Sequence, residues 1–223
     1  MDSDYLYYTF PTYGYLTKQF TVSDLSPVLL EIDSIKSNFV KAENVNSKLA
    51  GQIERQYKLD KSKKHIEDLI LPFAQEYDRI FNYFKSFKCL STIPDITLDD
   101  VWVNFQKKYE YNPPHDHSGV LSFVIWVNIP YTSTDEKLYS PGYNSISPKS
   151  GNFEFFYINN VNGISVETIS VSKETELTCI IFPSTFVHQV YPFYTSDDYR
   201  VSFSGNIYLK DEKSIIEFRK KIL

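Results

Sequence analysis

Four histidines occur in 223 residues, and two of them, His115 and His117, stand two apart in YNPPHDHSG. Imidazole is a good ligand for Fe(II), Zn(II), Cu(II) or Ni(II). On extended backbone, residues i and i+2 point the same way, so both rings can aim at one ion while Asp116 faces the other side. Pro113 and Pro114 precede them, removing two backbone donors and stiffening the approach. A third histidine, His188, ends an apolar run in FPSTFVHQVYPF, and Arg200 follows in YRVSFSGN with Ser202 on its face. A guanidinium beside a hydroxyl offers bidentate binding to a carboxylate, and an inward-facing arginine is costly unless paired. The HxH pair alone fits packing as well as a metal, and Arg200 alone fits a buried ion pair. Together, in this order, they point to a metal beside an anion site. His65 lies apart from these motifs and reads as a packing or surface histidine.

The elements that must position these groups fall into two halves. The first hundred residues read largely as helix. SDLSPVLLEIDSIKSNF (23–39) has Ser23 or Asp24 as a cap and Leu29, Ile32, Ile35 and Phe39 at helical spacing. LAGQIERQYKL (49–59) is a weaker helical or turn segment. The strongest helix spans 61–87, where Ile66, Leu69, Ile70, Phe73, Tyr77, Ile80, Phe81 and Phe84 follow the i, i+3, i+4, i+7 rule. Pro72 predicts a kink or a break within it.

From about residue 100 the pattern changes to strands, at 101–109, 120–130, 151–159, 175–183 and 199–209, with an edge strand at 164–174. Residues 137–151 form a long irregular loop, and the tail KDEKSIIEFRKKIL predicts a short closing helix. Helices followed by uninterrupted strands indicate an α+β chain with an antiparallel barrel or sandwich under a helical layer.

The net charge of −5 argues against a broad nucleic-acid footprint. No apolar stretch reaches the roughly 18 residues of a membrane helix, and the N-terminus lacks the basic and apolar regions of a signal peptide. Cys89 and Cys179 read as reduced thiols, which suits a cytoplasmic protein, in the host cytoplasm if a virus encodes it.

HxH, FPSxxxHxVxPF and RVSFSGN together resemble the 2-oxoglutarate- and Fe(II)-dependent oxygenases of marine bacteria and many bacteriophages. WVNFQKKYEYNPPHDHSG, SFVIWVNIPY and LAG near residue 50 extend the resemblance over most of residues 45–209, most closely over 101–206. It implies a single domain: a mainly helical part at 1–99, a double-stranded β-helix (jelly roll) at 100–209 and a helical tail at 210–223. It implies Fe(II), 2-oxoglutarate and O₂ as cofactors and cosubstrates, with His115, His117 and His188 as metal ligands at the catalytic centre. Arg200, helped by Ser202, would anchor the distal carboxylate of 2-oxoglutarate. Trp126 would wall the cosubstrate pocket or serve as ordinary core, and Asn104 and Gln106 would reach toward the cosubstrate.

One departure matters. The common facial triad is two histidines and a carboxylate, whereas the second position here is His117. Asp116 could enter the metal shell only if the segment bulges, and otherwise could orient an imidazole. The implied reaction couples decarboxylation of 2-oxoglutarate to succinate with oxidation, usually hydroxylation, of a substrate. That substrate is not written in these residues: a protein side chain, a nucleobase and a small metabolite all stay open. The rival readings are a cupin-like metalloenzyme without a keto acid and a non-catalytic jelly-roll module of a virus. A structural zinc site fits poorly without cysteine ligands.

Overall fold

The computed structural model of the chain describes residues 13–87, 95–159 and 161–210. In chain order its elements are β1 (Leu16–Gln19), α1 (Val22–Ser37), β2 (Gln56–Lys58), α2 (Lys63–Phe81), β3 (Ile96–Gln106), β4 (Asn112–His115) and β5 (Leu121–Asn128). They continue with α3 (Ser133–Tyr139), β6 (Phe153–Ile158), β7 (Ile164–Ile169), β8 (Thr178–Pro183), β9 (His188–Val190) and β10 (Arg200–Leu209). Two antiparallel sheets result, one ordered β1-β8-β5-β10-β3-β2 and the other β4-β9-β6-β7. Mixed with the helices, this is the α+β double-stranded β-helix.

Strand alternation explains why the larger sheet is covered twice. Leu121, Phe123 and Ile125 of β5, with Val103, Phe105, Phe203, Cys179 and Ile181, pack against Leu25, Val28 and Ile32 of α1 and Ile66, Ile70, Phe73 and Tyr77 of α2. The opposite face sends Val124, Trp126, Ile180 and Phe182 against Phe153 and Phe155 of the smaller sheet. Burying each such Phe or Leu contributes roughly 1.5–3 kcal/mol, so both layers are held on. Gly205 of β10 pairs with Phe123 of β5 on one side and Val101 of β3 on the other. A Cβ there would lie 2.7 Å from the Phe123 ring and 2.9 Å from the Asp100 carbonyl oxygen.

Several sequence expectations need correcting. The cap of α1 is Thr21 rather than Ser23 or Asp24. Its hydroxyl accepts from the Asp24 N–H while the Asp24 carboxylate accepts from the Thr21 N–H at 2.8 Å, a closed capping box. Residues 49–59 form β2 and its approach rather than helix, and β1 also joins the larger sheet, so the helical half supplies two strands. β3 begins at Ile96. Pro72 lies inside an unbroken α2. It and Asp68, whose carbonyl it leaves without a helical donor, are both exposed, so water can satisfy that carbonyl. The start of the expected 137–151 loop belongs to α3. Cys89 and the tail from 211 onward lie outside the described residues, whereas Cys179 is buried as a free thiol. His65, half-buried, bonds through Nε2 to the Asp24 carbonyl at 2.7 Å and is structural.

Candidate active site

The short strands β4 and β9 pair antiparallel, and their register sets His115 opposite His188. Between Asn112↔Val190 and His115↔His188 the register shifts, at the two prolines that cannot donate to a ladder. Two residues beyond His115 the chain is pinned again, because the His117 N–H donates to the Ser184 carbonyl at 2.8 Å. The three imidazoles consequently converge: their ring centroids are 4.3–4.9 Å apart, and one ligand nitrogen from each lies within 4.8 Å of the others.

Two of the rings have their orientation set locally. Nδ1 of His115 bonds to the Pro113 carbonyl at 2.7 Å, and Nδ1 of His188 to the Phe186 carbonyl at 2.8 Å. A carbonyl can only accept, so each Nδ1 carries the hydrogen and each Nε2 keeps a lone pair for a cation. His188 is also stacked on Phe153, with centroids 5.2 Å apart, and touches Phe182 edge-on. Burial depresses all three pKa values, aided for His117 and His188 by the neighbouring rings, and His117 is pushed down to about 3. The cluster is neutral at pH 7, which is the state a metal needs. Asp116 is exposed and outside the cluster, although its charge acts on His115.

Arg200 occupies another part of the same cavity and is only 2% exposed. Cross-strand pairing sets it opposite Gln106, whose amide oxygen accepts from Nε at 3.1 Å and from Nη2 at 2.5 Å. Nη1 donates to the Tyr131 hydroxyl at 2.8 Å and the Gly151 carbonyl at 2.9 Å, and Nη2 donates to the Tyr191 carbonyl at 3.3 Å. Every one of these acceptors is neutral, and among the described residues no carboxylate pairs with Arg200. A buried guanidinium so arranged is costly by itself and favours an anion from outside. Its longest bond, to Tyr191, is the easiest to yield.

Glu136 holds this surround together. Its buried carboxylate accepts from the Tyr194 and Thr195 N–H groups, the latter at 2.8 Å, and from the hydroxyls of Thr195 and Ser150. It thereby ties α3 to the two segments whose carbonyls receive Arg200. The Tyr131 phenol, pushed up by burial, stays neutral and donates to the Gly151 carbonyl.

All eight residues singled out from the sequence line one cavity of about 270 Å³: His115, His117, His188, Arg200, Ser202, Trp126, Asn104 and Gln106. Three of them form a row across the sheet, Asn104 opposite Ser202 and Ser202 opposite Trp126, and β2 extends the row with Gln56. Trp126 is both wall and core, buried and edge-on to Phe153. Gln106 differs from expectation in that its amide is taken up by Arg200 and by the Glu110 carbonyl. Sequence reading missed Gln56, Asn112, Tyr131, Glu136 and Gly151. Their residue types are unremarkable, and apart from Asn112, which stands three residues before His115, they are distant along the chain from the motifs, so no local spacing marks them.

Comparisons with known proteins bear on the fold and the family. Residues 100–206 match the family described as "Putative 2OG-Fe(II) oxygenase". Among solved structures, a Pseudomonas putida prolyl-4-hydroxylase superposes with TM-score 0.54 at 12% identity, covering 90% of this chain and 95% of that one. A Trichoplax adhaerens prolyl hydroxylase in complex with a hypoxia inducible factor peptide fragment gives 0.51 at 12%, covering 92% and 87%. AviO1 from Streptomyces viridochromogenes gives 0.51 at 9%, covering 89% and 90%. No curated protein matches in sequence.

Proposed function

We propose, from the match of residues 100–206 to the family described as "Putative 2OG-Fe(II) oxygenase", that this chain is such an oxygenase, that His115, His117 and His188 hold its iron and that Arg200 anchors its cosubstrate. The chain is an Fe(II)- and 2-oxoglutarate-dependent oxygenase. Bound iron supplies the redox chemistry that couples decarboxylation of 2-oxoglutarate to succinate and CO₂ with oxidation of a substrate by O₂. The donor set fits that ion, since three neutral imidazoles offer lone pairs at one point and imidazole suits Fe(II). The observation that carries the reading is this nitrogen cluster sharing a cavity with a buried guanidinium that has no anionic partner among the described residues.

The protein's own part is binding, orientation and exclusion of water. Arg200 takes the distal carboxylate of 2-oxoglutarate, with the Ser202 hydroxyl beside it, while Gln106, Tyr131 and Gly151 keep the guanidinium fixed. Trp126, Phe153 and Phe182 form an apolar wall that keeps bulk water from the reacting groups. Asp116 acts on His115 through its charge. A cupin-like enzyme without a keto acid would leave the buried Arg200 unexplained.

The chain oxidises a protein side chain, a nucleobase or a small metabolite. At 12% identity the substrates of the prolyl hydroxylases do not carry over. The HxH, distal His and RxS arrangement suits a marine-bacterial or phage source, and the free Cys179 thiol suits a reducing cytoplasm. No helix among the described residues is long and apolar enough to cross a membrane. Anaerobic titration of Fe(II)-loaded protein with 2-oxoglutarate tests the function directly. The visible charge-transfer band of the chelate is expected, followed by succinate on admitting air; absence of both would overturn the reading.

A further inference from the structure

One wall of the cavity is left over when iron and 2-oxoglutarate are accounted for. The loop Lys48–Gly51 and Gln56 line it, together with Asn112 from β4. Gln56 is only 2% exposed. Its Nε2 donates to the Asn104 Oδ1 at 2.8 Å, and the Asn104 Nδ2 leans on the Ser202 hydroxyl at 3.4 Å. That relay leaves the Gln56 Oε1 buried without a partner among the described residues, and the same holds for the Asn112 Oδ1. The Asn112 and Gln56 oxygens, at 2.4 and 3.3 Å, and the Gln56 Nε2, at 2.9 Å, surround the point where Gly51 would carry a Cβ, so the two side-chain ends meet there. The absence of a side chain at Gly51 is what permits this, because a Cβ there would come within 2.4 Å of the Asn112 oxygen.

A buried acceptor without a donor costs about 1–3 kcal/mol, so two side by side call for a ligand. At neutral pH 2-oxoglutarate carries carboxylate and keto oxygens only, all acceptors, and cannot satisfy them. Iron is held by the imidazoles elsewhere in the cavity. The geometry points to Gln56 and Asn112 as substrate-recognising residues for a primary substrate that presents an N–H₂ group (a carboxamide, guanidino or amino head). This rests on the oxygenase reading of the same cavity and narrows it. Substrates whose reacting end offers only oxygen acceptors are disfavoured, because they would leave both side-chain oxygens unpaired.

The test uses the Fe(II)-loaded, 2-oxoglutarate-bound 223-residue chain under anaerobic conditions, titrated with acetamide, methylguanidinium, ethylammonium and, as the N–H-free counterpart, methyl acetate. The position and shape of the charge-transfer band report binding beside the metal. A shift with at least one nitrogen probe and none with methyl acetate is expected. In Gln56→Leu the apparent affinity for that probe should fall roughly tenfold, as loss of one hydrogen bond in a desolvated pocket predicts, with the band itself retained. Asn112→Leu supplies a second reading from outside the larger sheet, with a similar loss. Equal responses to methyl acetate and the nitrogen probes, no response to any probe, or unchanged affinity in both variants would overturn the assignment. Absence of the band in the unmodified protein would instead bring down the oxygenase reading on which it rests.

Discussion

The histidine end and the arginine end of the cavity differ in charge and in construction. At the histidine end three neutral rings face one point and lack a positive charge. At the arginine end a guanidinium is surrounded by neutral oxygens and lacks a negative one. Under the proposed function an Fe(II) ion would supply the first and the distal carboxylate of 2-oxoglutarate the second, and the two ends line one cavity. Their support differs too. His115 and His188 are oriented by carbonyls two residues back along the same chain, Pro113 and Phe186. Arg200 is held by Gln106, Tyr131, Gly151 and Tyr191, from four separate places in the sequence. Local support survives local change, whereas the arginine end depends on the whole barrel being closed.

The sharpest way to break the comparison is to remove one ring. His188→Ala should weaken Fe(II) binding by more than about 100-fold, since even partners of a ligand are worth 10–100-fold. Full iron stoichiometry in that variant would take His188 out of the metal site. Next, Arg200→Ala should raise the 2-oxoglutarate concentration needed for the chelate band by about tenfold or more, with iron still bound. Unchanged cosubstrate affinity would separate the two ends after all. Arg200→Lys keeps the charge but loses the planar fork, and should recover only part of the loss.

Acid should act on the histidine end of the apo protein. The folded-state pKa values lie below the ordinary histidine value of 6.5, so protons bind the unfolded chain first. Stability is fully present above about pH 6.5 and falls as pH drops from there toward about 3, where His117 titrates. Urea melts across that window read the slope, and a flat profile would contradict buried neutral rings. A smaller effect is expected from Tyr131→Phe, which removes one acceptor from Arg200. It should cost about 1 kcal/mol of stability and weaken 2-oxoglutarate a few-fold while metal affinity holds. Asp116→Ala should change least, keeping more turnover than His117→Ala; the reverse ranking would exchange their roles.

The legibility of the site follows the same division. HxH at 115 and 117 could be read because two residues apart on extended chain means one face, a rule that needs no knowledge of the fold. His188 and Arg200 were legible through the order of motifs, and Ser202 by the same face rule. The strands of the β half were visible for a similar reason: LSFVIWVN is apolar on both faces and lies in the centre of a doubly covered sheet. β2 was not visible. Three residues, QYK, carry too little periodicity to show, and they become a strand only because β3 offers an edge at Asn104 and Trp102.

Residue types and spacing alone determined that two imidazoles face one point, that a third histidine and an arginine follow on later strands, and which runs are apolar enough to make a core. Those are properties of adjacent backbone geometry and side-chain chemistry. Only the tertiary structure decided that Tyr131, Gly151 and Glu136 secure the guanidinium, and that Gln56 and Asn112 leave two oxygens bare. Such partners are far apart along the chain, and strand register, set by the packing of whole sheets, brings them together.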